Sequence, residues 1–377
     1  MYPPVQGGSA MYAFELANAL GANNHQVDVV TQSNEQERTV KPHPNVQVCE
    51  VTPSRRQLVT FETLLYSIKA RFNMEFNKYD IIHGTLMPAS PIGLIGKNSI
   101  ECPVVVTSHS FAPSEVRSHS AVKLPDYLLK YFFHPMNACM DFVTSHAVDQ
   151  VITISTKMHN QLSEHYRVSE NKISTIPHGV DTNRFYPDHE AHPAVNPDTF
   201  TLLFVGRLIS RKNASLAIEA VSRLQRDDIE LIIAGTGRLQ DELKRMAQES
   251  DVSEHITFLG YVPESELEML YAGADMTAFT STYEGFGLVV LESLAAGTPV
   301  VGTPVGSVPD LITDRTEGFI RHPTADSFAD AITTALDNPQ LYMNMSENAR
   351  TLAEEHSWDE VAVKTESVYE RTIASNS

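Results

Sequence analysis

Cysteine is scarce: Cys49, Cys102 and Cys139 are the only three in 377 residues. They stand far apart in apolar or strand-like sequence without a CxxC or CxxH partner, which excludes a disulfide framework and a cysteine metal site and reads as reduced thiols. No apolar run reaches the length of a membrane span, and no basic start, apolar stretch and small-residue cleavage site follow one another, so the expectation is a cytoplasmic protein. Basic charge is also in short supply, with 28 Lys plus Arg against 47 Asp plus Glu and a formal charge of -19. Without a clustered basic surface, nucleic acid is no partner, and contact with an anionic lipid surface is at most peripheral. Asp-x-Asp, His-x-His and HExxH are missing as well, so the sequence offers no cage for a divalent ion and the expectation is no metal and no cofactor.

What is present describes a globular α/β chain. The apolar fraction of 42% and aromatic fraction of 8% suit a packed core, and 377 residues exceed one ordinary domain. Short β-branched runs alternate with helix-like stretches: QVDVVT at 26 to 31, YDIIHG at 79 to 84, PVVVTSH at 103 to 109 and QVITIS at 150 to 155. The series restarts with TLLFVG at 201, ELIIAG at 230, HITFLG at 255, MTAFTS at 276 and PVVGTP at 299. Such nearly continuous apolar strands predict parallel sheets covered on both faces, hence two doubly wound Rossmann-like domains. Pro177, Pro187, Pro193 and Pro197 punctuate the stretch from 177 to 200 and place the boundary there. The expected division is 1–178, 179–357 and a closing segment 358–377. Ligands of such sheets lie beyond the carboxyl ends of the strands, so two domains facing across a cleft would line it with strand-to-helix loops.

Those loops carry the candidate chemistry. Gly7 and Gly8 precede a helix marked by Phe14, Leu16 and Leu20, where backbone N–H groups can approach a phosphate or sugar, although a plain tight turn has the same sequence. Arg207 and Lys212 follow the strand that ends at Gly206, five positions apart, and can converge on one diphosphate; a solvated basic helix start would sit badly beside a positive helix terminus. Gly235 and Gly237 begin a dinucleotide fingerprint that Gln240 leaves incomplete, which disfavours an NAD-dependent oxidoreductase. Glu284 and Glu292 flank Gly285, Phe286, Gly287 and Leu288, whose backbone N–H groups enter a helix. Carboxylates suit polyol recognition, and Glu292, between Leu291 and Leu294 in an apolar run, needs a partner. His109 directly follows PVVVTS at a strand end, whereas His178 in PHGVD reads as part of a hinge turn.

Taken together, the Gly7-Gly8 loop, PHGVD at 177 to 181, GRxxxxK from Gly206 to Lys212 and the EGFGLVVLE block resemble glycosyltransferase family 4 over essentially the whole chain. The resemblance implies a GT-B fold and a retaining, metal-independent hexosyl transfer from a nucleotide sugar donor to a glycan or lipid-linked acceptor. It implies that Arg207 and Lys212 grip the diphosphate, Glu292 the ribose and Glu284 the transferred sugar. His109 then stands near that sugar, the base near Gly235 and Tyr261, and the segment from Trp358 crosses back onto the first domain. The family normally opens with a hydrophobic strand before the glycine loop, and this chain has Met1-Tyr2-Pro3 there, so a central first strand is expected to be missing. Two alternatives stay open: a catalytically silent nucleotide-sugar-binding protein, and a GT-B sugar-nucleotide epimerase. The stretch 123 to 136, KLPDYLLKYFFHPM, reads as a buried helix or as a lipid-touching face.

Overall fold

The computed structural model describes residues 8–33, 41–53, 76–85, 102–111, 113, 134–250 and 252–376. The chain divides into two units, Met1–Gly179 with Trp358–Ser377, and Val180–Ser357.

In the first unit, helix α1 (Gly8–Ala22) leads to strands β1 (Val27–Ser33), β2 (Val46–Pro53), β3 (Ile82–Gly84) and β4 (Val104–Ser108). Helix α2 (His134–Ala147), strand β5 (Gln150–Thr153), helix α3 (Thr156–His165) and strand β6 (Ile173–Thr175) follow. The described strands form two parallel sheets, β1-β2 and β3-β4-β5-β6. All five residues of β4 are buried, as an apolar β-branched run between covered faces requires. Ser155 starts α3 by accepting the Met158 N–H on its hydroxyl at 3.3 Å. The segment ahead of the glycine loop, where a central first strand is expected to be missing, falls outside the described residues; among these, β1 and β3 each pair on one side only.

The second unit is one regular domain. It runs β7 (Phe200–Val205), α4 (Ala214–Leu224), β8 (Ile229–Ala234), α5 (Gln240–Glu249), β9 (Ile256–Gly260), α6 (Glu264–Gly273), β10 (Met276–Phe279) and α7 (Leu288–Ala295). It ends with β11 (Val300–Gly302), α8 (Val308–Leu311), β12 (Gly318–Ile320), α9 (Ala325–Leu336) and α10 (Pro339–Glu354). The six strands are all parallel in the order β12-β11-β10-β7-β8-β9, so the winding reverses between β7 and β10. Such a reversal is where loops diverge and leave a crevice at the carboxyl ends of the strands.

A final helix, α11 (Trp358–Asn376), belongs to the first unit. Trp358, Val361, Ala362 and Val368 pack there with Tyr12, Leu16, Val105 and Ile152.

Two features depart from the sequence reading. Pro187, Pro193 and Pro197 do not link the units; their segment lies within the second unit, where the His192 N–H bonds to the Met269 carbonyl at 3.2 Å and Ala191 and Val195 pack against Gly273. Proline breaks helices and strands but does not by itself separate domains. Strands β2, β6 and β12 were not expected: β6 and β12 have three residues each, too few to show periodicity.

Candidate active site

Two of the candidate side chains of the second unit, Lys212 and Glu284, meet on the loops that follow β7 and β10. Lys212, 14% exposed, places its ammonium 2.7 Å from Oε1 of Glu284, which is 10% exposed. Lys212 stands in a short turn after β7, and Glu284 in the loop between β10 and α7. Two hydrogen bonds pin the loops together: the Thr280 hydroxyl donates to the Lys212 carbonyl at 2.8 Å, and the Thr282 N–H to the Arg211 carbonyl at 2.8 Å. Ser281 donates its hydroxyl to Glu284 Oε1 at 3.2 Å, and Arg211 comes within 3.9 Å of Glu284 Oε2. A lysine with three N–H donors keeps donors in hand after binding one carboxylate oxygen. Arg207, directly after Gly206, is exposed and makes no side-chain bond among the described residues. Its backbone stands just beyond the carboxyl end of β7, in the loop that leads to Lys212.

Glycine is required where these loops touch. A Cβ on Gly235 would lie 1.9 Å from the Gly206 carbonyl oxygen, and one on Gly237 would lie 2.3 Å from that of Leu208. Their first duty is therefore to let the loops after β7 and β8 meet backbone to backbone. Gly287 has φ of +99° and caps α7 with no side-chain hydrogen bond to its first turn, so the helix entry is finished by backbone alone. Phe286 is buried, and its carbonyl accepts the Ser307 N–H at 2.8 Å. Gly285 and Leu288 flank it, half-buried, at the same helix entry. Tyr261, 65% exposed beyond β9, presents its ring to solvent.

Glu292 lies in α7, whose Val290, Leu291, Leu294 and Ala295 are fully buried. The partner that this setting demands is Tyr271 of α6, whose hydroxyl donates to Glu292 Oε2 at 2.8 Å. Burial pushes the Glu292 carboxyl up, while the Tyr271 hydrogen bond and the charges of Arg184 and Lys212 pull it down. Lys212 thus acts on both glutamates.

In the first unit, His109 follows β4, and its Nδ1 lies 3.1 Å from His178 Nε2. Burial lowers His109 to about 3 and also puts His178 well below its ordinary value, so both rings are neutral. A neutral imidazole has one N–H, so one ring donates to the other. Tyr12 meets His109 edge-on at 4.6 Å between ring centres. Its hydroxyl is bonded to Thr107 at 3.0 Å, Thr107 to His83 Nε2 at 2.7 Å, and His83 Nδ1 to the Tyr369 hydroxyl at 2.6 Å. This chain fastens α1, β3, β4 and α11, and none of its members was singled out from sequence. Gly8 opens α1, exposed, whereas Gly7 and residues 123–133 of the aromatic stretch lie outside the described residues.

The buried histidines set an acid limit. His83 falls to about 4 through burial, below the value near 6.5 of an unfolded chain. The unfolded state therefore takes up its proton first, so stability is full above pH 6.5 and is lost as pH falls toward 4. The expected result is a Tm lower by roughly 5 °C at pH 5 than at pH 7.5. Fluorescence of Trp358, the single tryptophan, reports the first unit, and His83→Gln removes its share of the dependence while His109 and His178 keep theirs.

Among the described residues, no group of three or more His, Cys, Asp or Glu is placed to hold a metal ion, and no helix is long and apolar enough to cross a membrane. Fold and site define a two-domain α/β protein of the GT-B type with a cation and carboxylate cluster at a topological switch point. Two family profiles match it, Glycosyltransferase Family 4 over residues 6–184 and Glycosyl transferases group 1 over residues 186–352. The chain belongs to glycosyltransferase family 4. It is 29% identical to an uncharacterized glycosyltransferase of Methanocaldococcus jannaschii over 386 residues, 98% of this chain and 95% of that protein. It is 26% identical to a D-inositol 3-phosphate glycosyltransferase of Corynebacterium glutamicum over 394 residues, 98% and 92% of the two chains. Sucrose-phosphate synthase from Thermosynechococcus elongatus shares the fold with a TM-score of 0.81 at 22% identity, covering 98% of this chain and 94% of that one. Anabaena HepE, solved in complex with UDP and glucose, does so with 0.75 at 18% identity, covering 98% and 97%.

Proposed function

We propose that this glycosyltransferase moves a hexosyl group from a nucleoside diphosphate sugar to an acceptor hydroxyl, with retention of anomeric configuration and without a metal ion. The observation that carries the reading is the Lys212–Glu284 contact of 2.7 Å at the switch point of a parallel sheet. It joins a phosphate-binding charge to a hydroxyl-binding carboxylate over the span of one phosphorylated sugar. Arg207 and Lys212 meet the charge that develops on the leaving diphosphate, Glu284 binds hydroxyls of the transferred sugar, and Glu292 binds the ribose. Gly285 to Leu288 supply backbone donors, while Gly235 and Tyr261 border the base. The second unit is thereby the donor domain. The first unit is the acceptor domain, with His109 as its polar group for the sugar and Gly7 and Gly8 as its anion loop.

In the reaction the acceptor oxygen forms a bond to the anomeric carbon as the bond from that carbon to the β-phosphate oxygen breaks, on the same face. The acceptor proton passes to the departing phosphate oxygen. No side chain need act as base. Anabaena HepE has been solved with UDP-glucose, which makes that donor the first to try, and the inositol phosphate named for the Corynebacterium relative is a first acceptor. Glycan and lipid-linked hydroxyls complete the acceptor set, reached from the cytoplasm with at most peripheral membrane contact.

The experiment incubates the protein with a panel of nucleotide sugars and these acceptors and reads the product anomer by NMR. Transfer with the donor's own anomeric configuration, at the same rate in excess chelator, is the expected result. Tight binding with neither transfer nor hydrolysis identifies a silent binding protein, and conversion of the free donor to its epimer identifies an epimerase; both contradict the proposal.

A further inference from the structure

Glu292 would be a poor ligand if its carboxylate could turn freely, and the structure gives a reason why it does not. Tyr271 is fully buried on α6 and donates its hydroxyl to Oε2 at 2.8 Å. The other oxygen, Oε1, makes no hydrogen bond among the described residues. Tyr271 is itself held at both ends. Its ring packs edge-on against Phe185 at 5.7 Å between centres, and its backbone carbonyl accepts the Thr298 hydroxyl at 2.6 Å. Thr298 is in turn tied to α7, because its carbonyl accepts the Ser293 hydroxyl at 2.7 Å. Helices α6 and α7 are thus locked in register around one phenol and one carboxylate.

We propose that Tyr271 is a positioning residue for donor binding, fixing one oxygen of Glu292 so that the other is presented to the ribose hydroxyls of the nucleoside diphosphate. The proposal rests on the reading of Glu292 as the ribose ligand. A tyrosine suits the task because it can only donate to a carboxylate, and its burial beside Glu292 pushes its own ionisation well above the ordinary value. It therefore remains a donor throughout the working range. It also offsets part of the effect of burial: burial raises Glu292, and the phenol's hydrogen bond is the first influence that lowers it. The other charged groups acting on that carboxyl are Arg184 and Lys212, which lower it, and Glu264 of α6, which raises it. Arg350 of α10 reaches α7 only at its far end, donating to the Ala295 carbonyl at 2.7 Å.

The test is a mutant cycle on the full chain. UDP, GDP and ADP are titrated by calorimetry, and the tightest binder is carried forward with its 2′,3′-dideoxy counterpart. Tyr271→Phe keeps the ring, its volume and its contact with Phe185, so Tm stays within a few degrees. The expected result is on the order of a tenfold weaker Kd and a correspondingly raised donor KM, with kcat within about threefold of wild type. The loss vanishes in a Glu292→Gln background and with the dideoxy ligand, and the acid limb of the binding profile moves to higher pH. A loss of the same size in the Glu292→Gln background, or an unshifted acid limb, would show a merely structural tyrosine and overturn the proposal. An unchanged Kd in Tyr271→Phe overturns it too. If Glu292→Gln itself binds as wild type, the ribose reading fails first, which is a separate and recognisable outcome.

Discussion

Replacing Lys212 by Ala lowers kcat for transfer by roughly 100- to 1000-fold, the scale for removing a preorganised charge from a group that gains charge in the transition state. Lys212 is buried to within 14% and bound to Glu284, so its ammonium is already oriented before any diphosphate arrives. That orientation separates it from Arg211, whose guanidinium is 3.9 Å from Glu284 and 31% exposed, and which cannot take over the position. Lys212→Arg is correspondingly a poor substitute, because a planar fork does not fit the space of a compact ammonium held by one carboxylate oxygen. Folding survives, since the Lys212 carbonyl that accepts from Thr280 belongs to the backbone and stays in place. Initial rates at saturating donor, with Tm measured alongside, check this prediction.

The second large effect falls on Glu284. Glu284→Gln is expected to reduce kcat by roughly 100-fold with a smaller change in donor KM, because hydroxyl contacts to a carboxylate strengthen as positive charge grows on the sugar ring. Two losses coincide. The amide accepts more weakly than a carboxylate, and Lys212 is released from the 2.7 Å contact that aims it. The two substitutions are therefore coupled: the double variant Lys212→Ala with Glu284→Gln is expected to be little worse than the more damaging single one. Full additivity in steady-state rates would show that the two residues act apart.

Much of this is legible in the sequence. The second unit read well because its strands are apolar on both faces and spaced by amphipathic helices: LLFV, LIIA and TAF are found in β7, β8 and β10. The GRxxxxK and EGFGLVVLE blocks could be placed on strand-to-helix loops, and Lys212 meets Glu284 there. The apolar run around Glu292 demanded a partner, but its identity was hidden because contact between α6 and α7 is set by packing rather than by sequence separation. Arg211 and Ser281 were missed for the same reason, since a basic residue beside Lys212 and a serine at a strand end have no pattern of their own. His109 was visible at a strand end, yet its dependence on His178 was not, for 69 residues separate them and only the fold closes the distance. The stretch from 177 to 200 holds the division between Gly179 and Val180 near its start, while its later part, linker-like in composition, packs against α6.

The proposed function requires that side-chain cations at its switch point bind a nucleoside diphosphate to the second unit. Isothermal titration of UDP, GDP and ADP into the wild-type protein and into Arg207→Ala with Lys212→Ala, each in excess chelator, tests it most directly. At least one diphosphate is expected to bind the wild type with micromolar affinity, and the double variant to lose about 100-fold or more. Equal affinity in the two proteins, or binding that appears only when a divalent metal is restored, would contradict it.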